Sequence, residues 1–325
     1  MNVSPIGTSS VVFVTLSGLF WGGWVVGSQT PQGQEALARA YEAYAQERAQ
    51  ATEDLFDNTA LRALVCGTSG PGLDGAEPKP CLAVAAAGRL FIVDAGSGAA
   101  AALSERSVPL GRLEAVLLTG VGITQSADLD ELYVGAQHAR ANQLLPVYGP
   151  ADTVRMVDGL NAAGGFDGFA QGLQAWGPEP EPGQSVIVFE ADGLTVSAFT
   201  TTEDAHAGRV GYRFDYRGRS LIVAGDGRAE WANASADADV VLHSAQTAAL
   251  TQLHQAGGQT VSQIASAARD HNATLVLTGA GDDPLSAAMQ LSEARATGLE
   301  QVVAGRVGML LELPLENRDV NVRPL

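Results

Sequence analysis

The side chains able to do chemistry are few and scattered. The chain has five histidines, His138, His206, His243, His254 and His271. His138 falls inside a helical pattern, and His254 and His271 fall at helix ends, where an imidazole is solvated or caps a terminus. His243 follows the apolar strand pattern Val240–Leu242. Asp94 ends a strand pattern, where a carboxylate accepts backbone N–H bonds from the neighbouring loop. Asp128, Asp130 and Glu131 fall in the first turn of a helical pattern, the favourable end for negative charge. No Gly-x-Ser-x-Gly elbow, no phosphate-cradling glycine loop followed by lysine and no suggestively placed Cys–His pair occurs. Gly67-Thr68-Ser69-Gly70 reads as a turn.

These residues hang on a regular alternation of elements. Apolar strand patterns run over Leu61–Cys66, Cys81–Ala86, Leu90–Val93, Ala115–Thr119 and Pro146–Tyr148. Helical patterns follow over Ala127–Ala141, Ala151–Ala162 and around Phe166–Leu173. After the turn-rich 178–183, strands are expected at Val186–Glu190, Leu194–Thr200, Gly211–Tyr216 and Ser220–Ala224. Asp192-Gly193 and Arg217-Gly218 supply hairpin turns. Strands at Val240–His243, Thr274–Thr278 and Gln301–Ala304 alternate with helices at Thr247–Gln255, Val261–Asp270 and Leu285–Ala296, and Met309–Leu313 closes the series. Strand runs interleaved with covering helices predict two mixed sheets face to face with helices outside, an αββα sandwich in the α/β class.

Several segments resemble the metallo-β-lactamase-fold hydrolases, in particular the ribonuclease Z and arylsulfatase-like branch. Val93-Asp94-Ala95-Gly96 is similar to the Asp-x-Gly strand end of that fold, and Leu129-Asp130-Glu131-Leu132 follows the loop where it binds metal. Tyr148-Gly149-Pro150 resembles the branch's glycine-proline turn. Gly211-Tyr212-Arg213-Phe214, Gly218-Arg219-Ser220 and Gly225-Asp226 resemble its GYRF, GRS and GD segments, and Leu275–Thr278 its last ligand-bearing strand. The resemblance implies a dinuclear site, usually two zinc ions, that activates water.

The ligands the resemblance implies are mostly absent. Where the family reads His-x-His-x-Asp-His, this chain reads Gly120-Val121-Gly122-Ile123-Thr124-Gln125. The next histidine position holds Glu203, with His206 close by; the bridging aspartate persists as Asp226; the final histidine is Gly279, and one that opens a helix is Gln259. His243 stands where the family has a supporting histidine. Gly120, Gly122, Thr124, Gln125, Glu203, His206, Asp226, His243 and Gly279 therefore outline a vestigial site. Asp226, His206 and Glu203 are the residual candidates for one weakly held cation, and two zincs are not expected. The expectation is a catalytically inactive member kept for binding a small ligand or a protein. The alternative is a hydrolase of phosphodiesters, esters or sulfate esters with a single-metal or metal-free site.

Composition and the N-terminus complete the reading. A hydrophobic fraction of 46% over 325 residues is ample for a core. A net charge of −17, with Lys79 the sole lysine, argues against nucleic acid as a partner. Ser10–Gly27 is an uncharged apolar run, expected as a hydrophobic helix that anchors the chain in a membrane, or as a cleaved signal; the domain would then face the periplasm or the cell exterior, or be exported. The implied organisation is an anchor or signal over 1–28, a connector helix over 29–60 and the main domain over 61–325. Cys66 and Cys81 sit where one bridge is feasible, and two buried thiols serve as well.

Overall fold

The computed structural model describes residues 30–69, 78–140, 144–166, 171–201, 208–225, 237–245, 247–248, 259–281 and 283–325. The chain divides into two compact units, Met1–Ala51 and Thr52–Leu325. The connector helix expected from the sequence is α1, Pro31–Leu55. The anchor expectation is corrected: among the described residues no helix is long and apolar enough to cross a membrane. The run Ser10–Gly27 lies outside those residues, so neither the hydrophobic helix nor the membrane-facing, periplasmic or exported location has structural support.

The second unit is built on two sheets. The first contains β1 (Ala60–Gly67), β2 (Cys81–Ala86), β3 (Arg89–Val93), β4 (Leu113–Leu117), β5 (Leu145–Tyr148), β6 (Leu173–Trp176), β14 (Met309–Pro314) and β15 (Asn321–Pro324), in the order β15-β14-β1-β2-β3-β4-β5-β6. The second contains β7 (Ser185–Ala191), β8 (Leu194–Thr200), β9 (Val210–Tyr216), β10 (Arg219–Val223), β11 (Val240–His243), β12 (Thr274–Leu277) and β13 (Val302–Ala304), in the order β13-β12-β11-β10-β9-β8-β7. Both are mixed: β3 to β6 and β10 to β13 run parallel, and the remaining pairs antiparallel.

Alternation of side chains explains the layering. Leu61, Ala63 and Val65 of β1 face Phe214 and Tyr216 of β9 in the core between the sheets, while Leu64 and Cys66 turn to the helix-covered side. Phe91 and Phe214 meet edge to face across the two sheets, with ring centroids 5.9 Å apart. The outer helices include α2 (Ala99–Glu105), α3 (Ile123–Ser126), α4 (Leu129–Arg140) and α5 (Thr153–Gly164). Over the second sheet lie α6 (Val261–Asp270) and α7 (Pro284–Ala296). Thr260 and Gln263 close a capping box on α6, and Asp283 caps α7 ahead of Pro284.

Local expectations fare unevenly. Asp192-Gly193 and Arg217-Gly218 do make the hairpin turns, all four residues at positive φ. The helix expected around Phe166–Leu173 is not found among its described residues, since Gln171 and Gly172 form a bend and Leu173 opens strand β6; 167–170 lie outside the described residues, as does most of the helix expected at Thr247–Gln255. The open cysteine question resolves as a disulfide, Cys66–Cys81, with Cα atoms 4.9 Å apart.

Candidate functional site

The parallel strands end at one edge of the sandwich, and the loops leaving them surround a small cavity. Its walls come from the ends of β1 (Gly67, Ser69), β3 (Asp94), β4 (Thr119, Gln125), β10 (Gly225), β11 (His243, Ser244) and β12 (Thr278), with Pro80 and Cys81 at the start of β2. Its volume is about 40 Å³, room for a few water molecules and not for a whole ligand. A molecule bound here must lie mostly across the mouth.

Hydrogen bonds fix this rim. Asp94, at φ 59°, accepts from the Thr119 N–H and from the Thr119 hydroxyl, both at 2.8 Å. This is the loop-ordering role expected of a carboxylate at a strand end. Burial and the neighbouring Asp94 carboxylate push the Tyr212 phenol well above its usual pKa, so it stays protonated and donates to the Leu118 carbonyl at 3.0 Å. Ser69 N–H bonds Thr278 O at 2.9 Å, Thr278 N–H bonds His243 O at 3.0 Å, and Ser244 N–H bonds Gly225 O at 2.8 Å. Four loops are thereby locked to one another through backbone.

Two of the sequence-derived positions line this cavity. They are Gln125 and His243, and two more wall residues, Thr119 and Thr278, directly precede Gly120 and Gly279. Gly122 accepts the Gln125 N–H at 2.9 Å, and Thr124 Oγ1 bonds Gln125 Oε1 at 2.7 Å. Asp226, Glu203 and His206 lie outside the described residues. His271 ends α6 as expected. Asp128, read as a first-turn residue, instead reaches back to accept the Ala100 N–H at 3.1 Å. Thr119, Ser244 and Ser69 line the cavity with no signal of their own in the sequence; each is beside or near a loop that the motif comparison singled out.

The remaining slots do not suit two metal ions. A Cβ on Gly120 would make only ordinary van der Waals contacts, the nearest with Arg209 Nη1 at 3.8 Å. At Gly279 a Cβ would stand 2.2 Å from the Ala245 carbonyl oxygen and 3.0 Å from two further backbone atoms. The backbone of the β11 loop has closed over the place from which an imidazole would project. Among the described residues no group of three His, Cys, Asp or Glu side chains is placed to hold a metal ion. The donors among the described residues therefore do not fit the two zincs implied by the resemblance.

No protein-family model matches the chain. The ribonuclease Z of Mycobacterium sp. (strain KMS) is 28% identical over 174 residues, which cover 51% of this chain and 61% of that protein. The ribonuclease Z of Mycobacterium bovis (strain BCG / Pasteur 1173P2) is 26% identical over 233 residues, 68% and 83% of the two chains. Among solved structures, the metallo-β-lactamase-fold protein YhfI from Bacillus subtilis superposes with a TM-score of 0.64 at 18% identity, over 78% of this chain and 99% of that one. The human short-form tRNase Z gives 0.58 at 17% identity, over 67% and 92%. The chain has the metallo-β-lactamase fold. Within that fold the cavity sits at the edge of the sheets where the strand-end motifs meet, and the ribonuclease Z-like resemblance of the sequence stands with it.

One expectation falls at this point. Acidity had excluded nucleic acid, yet the relatives just named are ribonucleases. The physical reason is that net charge sums over a whole chain, whereas a phosphate meets only the few charges near its own contact. A formal −17 lowers affinity at long range without deciding what a local surface accepts.

Proposed function

We propose that this metallo-β-lactamase-fold chain binds RNA, or a nucleotide-bearing ligand, at the strand-end cavity and does not hydrolyse it through two metal ions. The observation that carries the loss of hydrolysis is the closure at Gly279, where the Ala245 carbonyl occupies the space a ligand side chain needs. The loop Gly120–Gln125 supports it, because glycine at two slots offers no donor atom and Thr124 and Gln125 bond each other. The ligand class follows from the ribonuclease Z relatives. What persists is a rim of hydroxyl, amide and imidazole groups from Ser69, Thr119, Gln125, His243, Ser244 and Thr278. The Thr119, Ser244 and Thr278 hydroxyls already donate to Asp94, the Gly225 carbonyl and the His243 carbonyl, so toward a ligand these oxygens accept, from a sugar hydroxyl or a base N–H, without activating water.

A short single-stranded RNA incubated with the full chain tests this. The RNA should shift in a binding assay and be recovered intact, with or without added zinc or manganese. Cleavage that a chelator abolishes would refute the reading in favour of a residual metal-dependent hydrolase.

A further inference from the structure

The first sheet extends past the cavity by two strands, and those strands end in aromatic rings. Tyr148 is the last residue of β5 and Trp176 the last of β6. Both strands run parallel to β4, so both end at the edge that carries the cavity. Leu117, Tyr148 and Trp176 are register partners, which puts their side chains on one face of the sheet. That face is the inner one, since Leu117 and Tyr148 both pack into the core between the sheets. Neighbouring strands lie about 4.8 Å apart, so Trp176 stands roughly 10 Å from Leu117, the residue two before Thr119 in the cavity wall.

The two rings are stacked, with centroids 5.2 Å apart and planes 18° from parallel. Tyr148 is half-buried, whereas Trp176 is 38% exposed. The exposed ring is held from behind. Gly149 N–H bonds the Trp176 carbonyl at 3.1 Å, Leu118 N–H bonds the Tyr148 carbonyl at 2.7 Å, and a Cβ on Gly149 would meet Thr153 Oγ1 at 2.3 Å. The glycine-proline turn thus lets β5 and β6 finish close together, with both rings in step. The Arg209 guanidinium lies beside Gly120, 3.8 Å from where a Cβ there would stand.

A tryptophan stacked on a tyrosine is a rigid apolar plane. Core packing does not require it to face solvent, and it stands on the edge strand of the sheet, two strands beyond the one whose loop walls the polar cavity. We infer that Trp176, backed by Tyr148, is a stacking platform for an unpaired base of a single-stranded RNA whose backbone crosses the cavity mouth. The inference rests on the proposed RNA-binding reading and adds where the base sits. Base stacking tolerates any sequence, because every base has a π-face. It also supplies affinity that does not depend on net charge, which suits an acidic chain.

The test compares full-length wild type with Trp176→Leu and Trp176→Phe, using a short single-stranded RNA and an abasic oligonucleotide of the same length. Trp176→Leu should weaken RNA binding about tenfold or more, Trp176→Phe should retain most of it, and affinity for the abasic strand should be the same for all three. Equal RNA affinity for Trp176→Leu and wild type would overturn the platform and leave RNA binding standing. Loss on the abasic strand as well would overturn it too, by showing a general disturbance of the surface. Absence of RNA binding by wild type would overturn both the platform and the reading beneath it.

Discussion

Gly279→His should destabilise the fold by about 3 kcal/mol or more. Even Gly279→Ala should cost a measurable part of that, because the first side-chain atom already stands 2.2 Å from the Ala245 carbonyl oxygen. The atoms in the way are backbone, fixed by the Thr278 to His243 and Ser244 to Gly225 bonds, and they cannot rotate aside as a side chain would. Gly120→His is the matched control. Its Cβ meets nothing nearer than 3.8 Å, so its melting temperature should stay close to wild type. Thermal melts of the three variants read the difference. A wild-type melting temperature for Gly279→His would show that the loop yields, and the closure would then be no obstacle to metal. The same geometry bears on restoring the whole motif, with His at 120, 122, 125, 203 and 279 and Asp at 124. All six changes supply a metal-donor side chain, and the one at 279 does so against the packing.

Arg219→Ala should cost about 3–5 kcal/mol, the range for breaking a buried charge pair from one side. Arg219 is 2% exposed, and its Nε lies 3.1 Å from Asp239 Oδ2. Its other nitrogens donate to the carbonyls of Pro314, Asn317, Arg318 and Asp319, so one guanidinium ties the start of β10 to the segment joining β14 and β15. Truncation leaves those carbonyls without that donor. Arg219→Lys should recover little, since a single ammonium cannot span the fork. A denaturant midpoint within error of wild type for Arg219→Ala would contradict this role.

Arg219 also shows why parts of this protein were legible from sequence. In the Gly-Arg-Ser motif it is recognisable because the fold, and no reaction, demands it. The same holds for Asp94, whose carboxylate fastens the loop after β4, and for Arg217-Gly218, whose positive φ values turn the hairpin. Strands buried on both faces, such as β2, read as continuous apolar runs whose ends the pattern locates. β6 and β15 were missed for the opposite reason. They are four residues each, with exposed positions and no alternation long enough to count. In the site, the missing ligands were visible as residue types. The closure at Gly279 was not, because it depends on Ala245, a residue distant in sequence and unremarkable in type. Net charge does not decide for or against nucleic acid, because it averages away the local surface.

The central claim, a metallo-β-lactamase fold without its two-metal chemistry, is tested most directly by the metal content of the chain purified without chelators. Elemental analysis should find well under one zinc, iron or manganese ion per chain. Close to two tightly held ions per chain would contradict the account.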